Sequence, residues 1–334
     1  AVKDADCAKD MTKDGLDLKV DGDWLYAEGT SLGGDDGIAV AYALALLDSD
    51  SIPPPRLEVI ITVDEETGME GANAIDLSIC RGRRMLNLDN EEEGVLLTSC
   101  AGGARVHGKL MASCEKVSGT RMEIFFEGLK GGHSGAEIDK DRANANALLG
   151  RMMRFLPKEA DARFLSLEGG SADNAIPSAS RAVLVVRTES VSAVRDALTK
   201  LEETLRREYA STDSGLHIRI GGEENGEWEA FSRESTEKVT NILYLCPNGI
   251  QRMSADNPGR VQTSLNLGIL QTENGCVGFD YSVRSSVGSE KDMIIDKVCL
   301  LLSSQGAEVT VSGEYPAWEY RKDSALREKM IRIY

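Results

Sequence analysis

LEVIITVDEETGMEGANAID, residues 57–76, decides how the N-terminal part of this 334-residue chain is read. Its first seven residues (57–63) are a nearly unbroken apolar run rich in β-branched side chains. That pattern predicts a central strand of a parallel sheet, buried on both faces. The run stops abruptly at Asp64-Glu65-Glu66-Thr67-Gly68, and MEGANAID then predicts the start of a helix. MLNLD (85–89) repeats the pattern, an apolar strand ending in Asp89-Asn90-Glu91-Glu92-Glu93. Upstream, Gly33-Gly34-Asp35-Asp36-Gly37 runs into IAVAYALALLD, about three apolar helical turns, with Asp35 or Asp36 placed to cap them. Pro53-Pro54-Pro55 breaks the chain between helix and strand. Acidic residues thus stand at the C-terminal ends of successive strands, the edge at which open α/β sheets bind ligands.

Beyond Cys100-Ala101-Gly102-Gly103 the grammar changes. RMEIFFEGL (121–129) predicts a strand, RANANALLGRMMRFL (142–156) a helix, and ARFLSLEGG and SRAVLVVRTE two strands. VSAVRDALTKLEETLRREY predicts an amphipathic helix and GLHIRIGG a strand. The order β-α-β-β-α-β is the ferredoxin-like split unit. A second pass follows: a helix near 232–245, strands RVQTSLNLGIL and CVGFDYSVRSS, helix SEKDMIIDKVCLLLSSQG and strand AEVTVSG. The fold class expected is therefore α/β, with a core from residues 1–102 and 315–334 and an inserted α+β domain, 103–314, built of two ferredoxin-like halves.

Composition narrows the partners. A chain 41% hydrophobic and 28% charged is globular, and its length gives a prior of about two domains. The net charge of −17 opposes a phosphate backbone and an anionic membrane surface, so neither nucleic acid nor membrane is expected. No stretch approaches the ~20 apolar residues of a membrane span. Seven scattered cysteines, no two closer than 14 positions and none in a CxxC pair, predict reduced thiols and a cytoplasmic setting. Nucleotide loops are absent too: there is no GxGxxG after a strand and no GxxxxGK[ST].

Three acidic clusters remain: Asp35-Asp36, Asp64-Glu65-Glu66 and Asp89. Packed carboxylates repel and need cations or protons to coexist. Two divalent metals would satisfy them, with an adjacent glutamate left free as general base. Solvated strand ends in an acidic protein explain the same spacing, and from spacing alone that is the commoner case.

GTSLGGDDGIA, TVDEETGMEGA, LNLDNEEEG, SCAGG, LKGGHSGAEI and DNAIP occur in this order, and together they resemble the di-zinc peptidases of the aminoacylase/carboxypeptidase type. LNLDNEEEG, LKGGHSGAEI, TSLNLG and EYPAW are particular to the aminoacyl-histidine dipeptidase branch. The likeness runs from about Val20 to Trp318. It implies a zinc-exopeptidase-like catalytic core with an inserted lid, hydrolysing Xaa-His and other dipeptides through a water activated by two divalent ions. Zinc is the first candidate, with manganese or cobalt as substitutes.

Carried over position by position, the resemblance makes Asp35 the carboxylate bridging both metals, joined to Asp36 by a strained cis peptide. Glu66 and Asp89 become terminal ligands, and Glu65 the general base. His133 in the glycine-rich GGHSG loop becomes a lid residue holding the scissile carbonyl or its oxyanion across a homodimer interface. Asn174 and Arg284 become substrate-facing lid residues, Arg284 suited to a terminal carboxylate. A mobile surface turn is the plain alternative for His133, and structural roles for Asn174 and Arg284. His107 and His217 read as ordinary packing or surface histidines.

One element of the pattern departs. The family supplies a ligand histidine before the GGDDG element and another near its C-terminus, whereas here no histidine precedes Asp35 and none follows His217. The chain is thus expected to be an internal fragment, incomplete at both ends of its core and inactive by itself, its metal site empty or holding hard cations. A related amide hydrolase (tripeptidase, aminoacylase or carboxypeptidase) and a non-catalytic peptide-binding or dimerising relative are the competing readings.

Overall fold

Along Val191–Glu208, Val194, Leu198, Leu201 and Leu205 recur at helical spacing, and all four are buried. Along Cys114–Glu127, Met122, Ile124 and Phe126 alternate, and so do Val277, Phe279, Tyr281 and Val283 along Cys276–Ser285. These two periodicities put helices against one face of a sheet, and their buried side chains join in one core. The computed structural model describes residues 3–32, 36–65, 69–90 and 94–334. It divides into two units, Ala1–Leu96 with Ala325–Tyr334, and Leu97–Ser324.

The smaller unit holds the hairpin β1 (Leu18–Asp21) and β2 (Trp24–Ala27), helices α1 (Gly37–Asp48) and α2 (Glu70–Ala74), and α7 (Ala325–Ile333). The hairpin turns at Gly22-Asp23, where Gly22 takes a φ of 59°, a conformation that costs glycine least. Asp36 caps α1, its carboxylate accepting from the Ala39 N–H at 3.2 Å. Ala27 is the one buried residue among the described residues of this unit.

The strands expected at 57–63 and 85–89 are not formed, which corrects that reading. Neither segment joins a β-ladder among the described residues, and Ile61 and Val63 are 64% and 67% exposed. A β-branched run sets a preference, but a strand exists only where a neighbour accepts and donates its ladder bonds. Here Glu58 instead takes the N–H groups of Arg81 and Gly82, and Val63 O accepts from Gly71 N at 3.0 Å.

The larger unit contains β3 (Gly102–Met111), β4 (Cys114–Glu127), β5 (Gly132–His133), α3 (Ala145–Phe155), β6 (Arg163–Gly169), β7 (Ala175–Ile176), β8 (Ser180–Val186) and α4 (Val191–Glu208). It continues with β9 (His217–Phe231), α5 (Arg233–Leu245), β10 (Gly249–Met253), β11 (Val261–Glu273), β12 (Cys276–Ser285), α6 (Gly288–Ser304) and β13 (Glu308–Tyr315). Nine strands form one antiparallel sheet in the order β13-β3-β12-β11-β6-β8-β4-β9, with β10 also on β11.

The sheet is two ferredoxin-like halves set edge to edge. β4-α3-β6-β8-α4-β9 makes one half, and β11 joins β6 through Leu270↔Gly169 and Gln271↔Glu168. The second half does not begin at α5, as its sequence order suggested. Its opening strand is β3, which lies between β13 and β12 and precedes the entire first half in the chain. GGARVHGKLM escapes a strand pattern because three glycines interrupt it, yet each glycine has a packing reason. A Cβ at Gly108 would lie 2.9 Å from Leu302, and one at Gly103 2.6 Å from the Tyr315 hydroxyl.

Candidate functional site

His133 is presented by a short ribbon. β5 pairs with β7 through Gly132↔Ile176 and His133↔Ala175, and the next N–H, of Ser134, donates to Asn174 O at 2.8 Å. Gly131 and Gly132 enter this ribbon at φ 61° and 135°, which side chains at those positions would strain. Two of the expected substrate residues, His133 and Asn174, are therefore tied by main chain. The Asn174 side chain itself is exposed.

The His133 ring is fixed in one neutral form. Its Nδ1 accepts from the backbone N–H groups of Gly135 and Ala136, at 3.1 and 2.9 Å. An Nδ1 that accepts carries no proton, so the proton of the neutral ring sits on Nε2, which is left as a donor. Burial first, and then the Arg284 guanidinium, push the ring below its ordinary value of 6.5, against a smaller opposing pull from Glu137. Glu137 is held down to about 2, chiefly by Lys140, and its carboxylate accepts from the His133 backbone N–H at 3.0 Å. In a ring-proton NMR titration His133 should lose its proton below pH 6.5. Glu137→Gln, by removing the one charge that favours imidazolium, should move it lower still; a titration at or above 6.5 would contradict this geometry.

Arg284 stands on β12 opposite Ser264 of β11. Its Nη1 donates to the Tyr315 hydroxyl at 3.3 Å, and its buried Nε has no partner among the described residues. Gly135 is pressed between this guanidinium and the His133 ring: a Cβ there would lie 3.0 Å from His133 Cε1 and 3.2 Å from Arg284 Cζ. His133 and Arg284 thus share a cleft of ≈ 250 Å³, whose walls include Cys100, Gln262, Ser264 and Tyr315. A neutral N–H donor and a fork-shaped cation with unspent donors make a site for a carbonyl and a carboxylate oxygen pair. Sequence reasoning assigned no role to Gln262, Ser264 or Tyr315, although TSLNLG and EYPAW had already marked two of them.

Of the four expected acidic residues, Asp35 and Glu66 lie outside the described residues, as does the Asp35–Asp36 peptide. Glu65 stands at a turn whose backbone O accepts from Met69 N at 2.9 Å. Asp64 and Met69, on either side of this turn, take φ of 55° and 61°. Left-handed backbone at residues with side chains is costly, and functional sites are where such strain gathers. Asp89 lies in an exposed segment. Among the described residues no group of three or more His, Cys, Asp or Glu side chains gathers for a metal. The donors expected in this unit are all carboxylates, which suits a divalent cation. Catalytic zinc usually adds imidazole, and the three histidines of this chain all belong to the larger unit.

The remaining histidines lie in polar contacts on strands, as expected. His107 Nδ1 and Nε2 lie 2.8 Å from Asp280 and Ser312, and His217 bonds Gly215 O and faces Glu127. All seven cysteines are free. No helix among the described residues is long and apolar enough to cross a membrane.

Residues 126–213 match the model of the peptidase dimerisation domain. The chain is 34% identical, over 99% of its length and 69% of the relative's, to the cytosol non-specific dipeptidase of Escherichia coli (strain K12). It is 24% identical to an uncharacterised protein of Bacillus subtilis (strain 168), over 75% of the chain and 63% of that relative. The crystal structure of aminoacylhistidine dipeptidase from Vibrio alginolyticus superposes with a TM-score of 0.88 at 32% identity, covering 98% of this chain and 67% of that one.

Proposed function

The chain belongs to the family of the cytosol non-specific dipeptidase, and from that membership we infer that it is a peptidase acting on dipeptides, Xaa-His among them. The observation that carries the reading is the pairing of the His133 Nε2–H with the Arg284 guanidinium in one cleft. A dipeptide offers the matching groups, one scissile carbonyl and one terminal carboxylate close behind it.

In this reading Arg284 takes the carboxylate through its fork, and His133 donates from Nε2 to the carbonyl oxygen as negative charge develops there. Asn174, beside His133, faces the substrate from the same ribbon. Glu65 takes a proton from the attacking water and passes it to the leaving amine nitrogen. Asp35, Glu66 and Asp89 would hold two divalent ions, zinc first and manganese or cobalt as substitutes. When bound, such ions polarise a carbonyl and lower the pKa of a water. Family membership supports metal dependence, and the all-carboxylate donor set supports a divalent cation.

The same reading makes residues 103–314 a lid inserted into a core of 1–102 and 315–334, and the lid the surface through which two copies pair. The match of 126–213 to a peptidase dimerisation domain supports this. The function is tested with a panel of Xaa-His dipeptides, tripeptides and N-acyl amino acids in the presence of zinc or manganese. Release of free amino acids from the dipeptides is expected of the full-length protein. Preferential cleavage of tripeptides or N-acyl amino acids would assign the chain to another substrate class.

A further inference from the structure

TSLNLG (263–268) is a branch motif whose central residues the reading above leaves idle. Asn266 lies in the middle of β11, 1% exposed, and a buried amide must spend its hydrogen bonds locally. Its Nδ2 donates to Ala175 O at 2.8 Å and to Asp173 O at 3.3 Å, the carbonyls on either side of Asn174. Its Oδ1 accepts from Asn144 Nδ2 at 3.0 Å.

The orientation of this amide is determined by its neighbours. Asn144 Oδ1 accepts from the Ala147 N–H as the cap of α3, so its Nδ2 must face Asn266. Two backbone carbonyls, which only accept, then require donors on the other side of Asn266. Asn248 extends the network, taking the Leu267 N–H at 3.1 Å. Gly268 adds a steric half. The register of β11 against β12 shifts between Leu267 and Ile269, so Gly268 is the extra residue of a bulge. A Cβ there would lie 2.4–2.7 Å from the backbone of Asp173.

We propose that Asn266 is a positioning residue: its amide grips the main chain on both sides of Asn174 and, through the Asn174 O to Ser134 N–H bond, sets the ribbon that presents His133. Gly268 leaves the room in which that loop seats. Ser264, two residues back on the same strand, lines the cleft itself, so one short run both walls the cleft and holds its ribbon. The proposal rests on the substrate-facing roles given above to His133 and Asn174.

Asn266→Asp tests it, since the carboxylate keeps the shape and the acceptor for Asn144 but sets an oxygen in place of the N–H donors that face two carbonyls. Amide hydrogen exchange at Ser134 should accelerate while the core strands β4 and β12 keep their protection. For a dipeptide, kcat/KM should fall about 10²-fold, the scale of a misplaced binding group. Combined with Asn174→Ala, the loss should not grow beyond that of the worse single variant, because both act through one loop. Unchanged exchange at Ser134, or losses that multiply, would overturn the proposal. If Asn174→Ala alone leaves kcat/KM intact, the substrate role of Asn174 is what fails, and the exchange result alone decides the grip of Asn266. Should Asn266→Asp not fold, Gly268→Ala pushes the same loop from its other side and is expected to give the same Ser134 signature; its absence would count equally against the proposal.

Discussion

Replacing Glu65 by glutamine in the full-length protein is expected to lower turnover of a dipeptide by ~10²–10⁴-fold, the usual loss when a general base is removed. Glutamine keeps the length and one oxygen of the side chain but cannot take a proton at neutral pH. The metal content of the purified protein should be unchanged, because the reading gives the ligand roles to Asp35, Glu66 and Asp89. KM should move little, because the contacts assigned to the substrate come from His133, Asn174 and Arg284. A variant with near wild-type turnover would remove Glu65 from the chemistry. One that loses its metal would make it a ligand instead.

The second large effect concerns the sheet that carries the cleft. Phe164 of β6 is wholly buried and meets Phe231 of β9 edge to face, with centroids 6.4 Å apart and planes at 64°. Phe164→Ala removes the ring from a close-packed site, and such changes cost about 3–5 kcal/mol. The urea midpoint of the larger unit, followed through Trp228 fluorescence, should fall accordingly. Phe155→Ala is the control. That ring is 43% exposed at the end of α3, and its removal should shift the midpoint far less. Equal shifts would mean that the aromatic pair is not central to this core.

The larger unit was legible because its elements carry their own periodicities. The i, i+4, i+7, i+11 leucines and valine of α4 and the alternation in β4 and β12 each name a buried face without reference to the rest of the chain. β3 was missed as the start of the second half because Gly102, Gly103 and Gly108 remove the alternation that marks a strand. Their purpose lies in Tyr315 and Leu302, some two hundred positions away, and no local window contains it. In the smaller unit LEVIITV records an intrinsic preference, while strand formation depends on a partner that sequence pattern does not specify. For the cleft, GGHSG and DYSVRSS pointed to His133 and Arg284 through resemblance alone. The tautomer of His133 was beyond any sequence argument, because it depends on two N–H groups that the turn at Gly135–Ala136 aims at Nδ1.

The interleaving of the two halves has a consequence for synthesis. As the chain leaves the ribosome, β3 emerges first, yet β12 and β13, which flank it in the finished sheet, emerge last; His107 waits for Asp280, 173 positions later. Between them the half made of β4 to β9 is released with its internal pairings nearer in sequence than those of β3 with β12 and β13, and local contacts close fastest. The nascent protein is therefore expected to seat that half first and to carry β3, with Val106 and Leu110, as an unpaired apolar strand until β12 and β13 have been made. Unpaired strands are prone to aggregate. Slow translation after β9 would prolong that exposure, so expression yield should respond to elongation rate across residues 232–315 more than across residues 114–231.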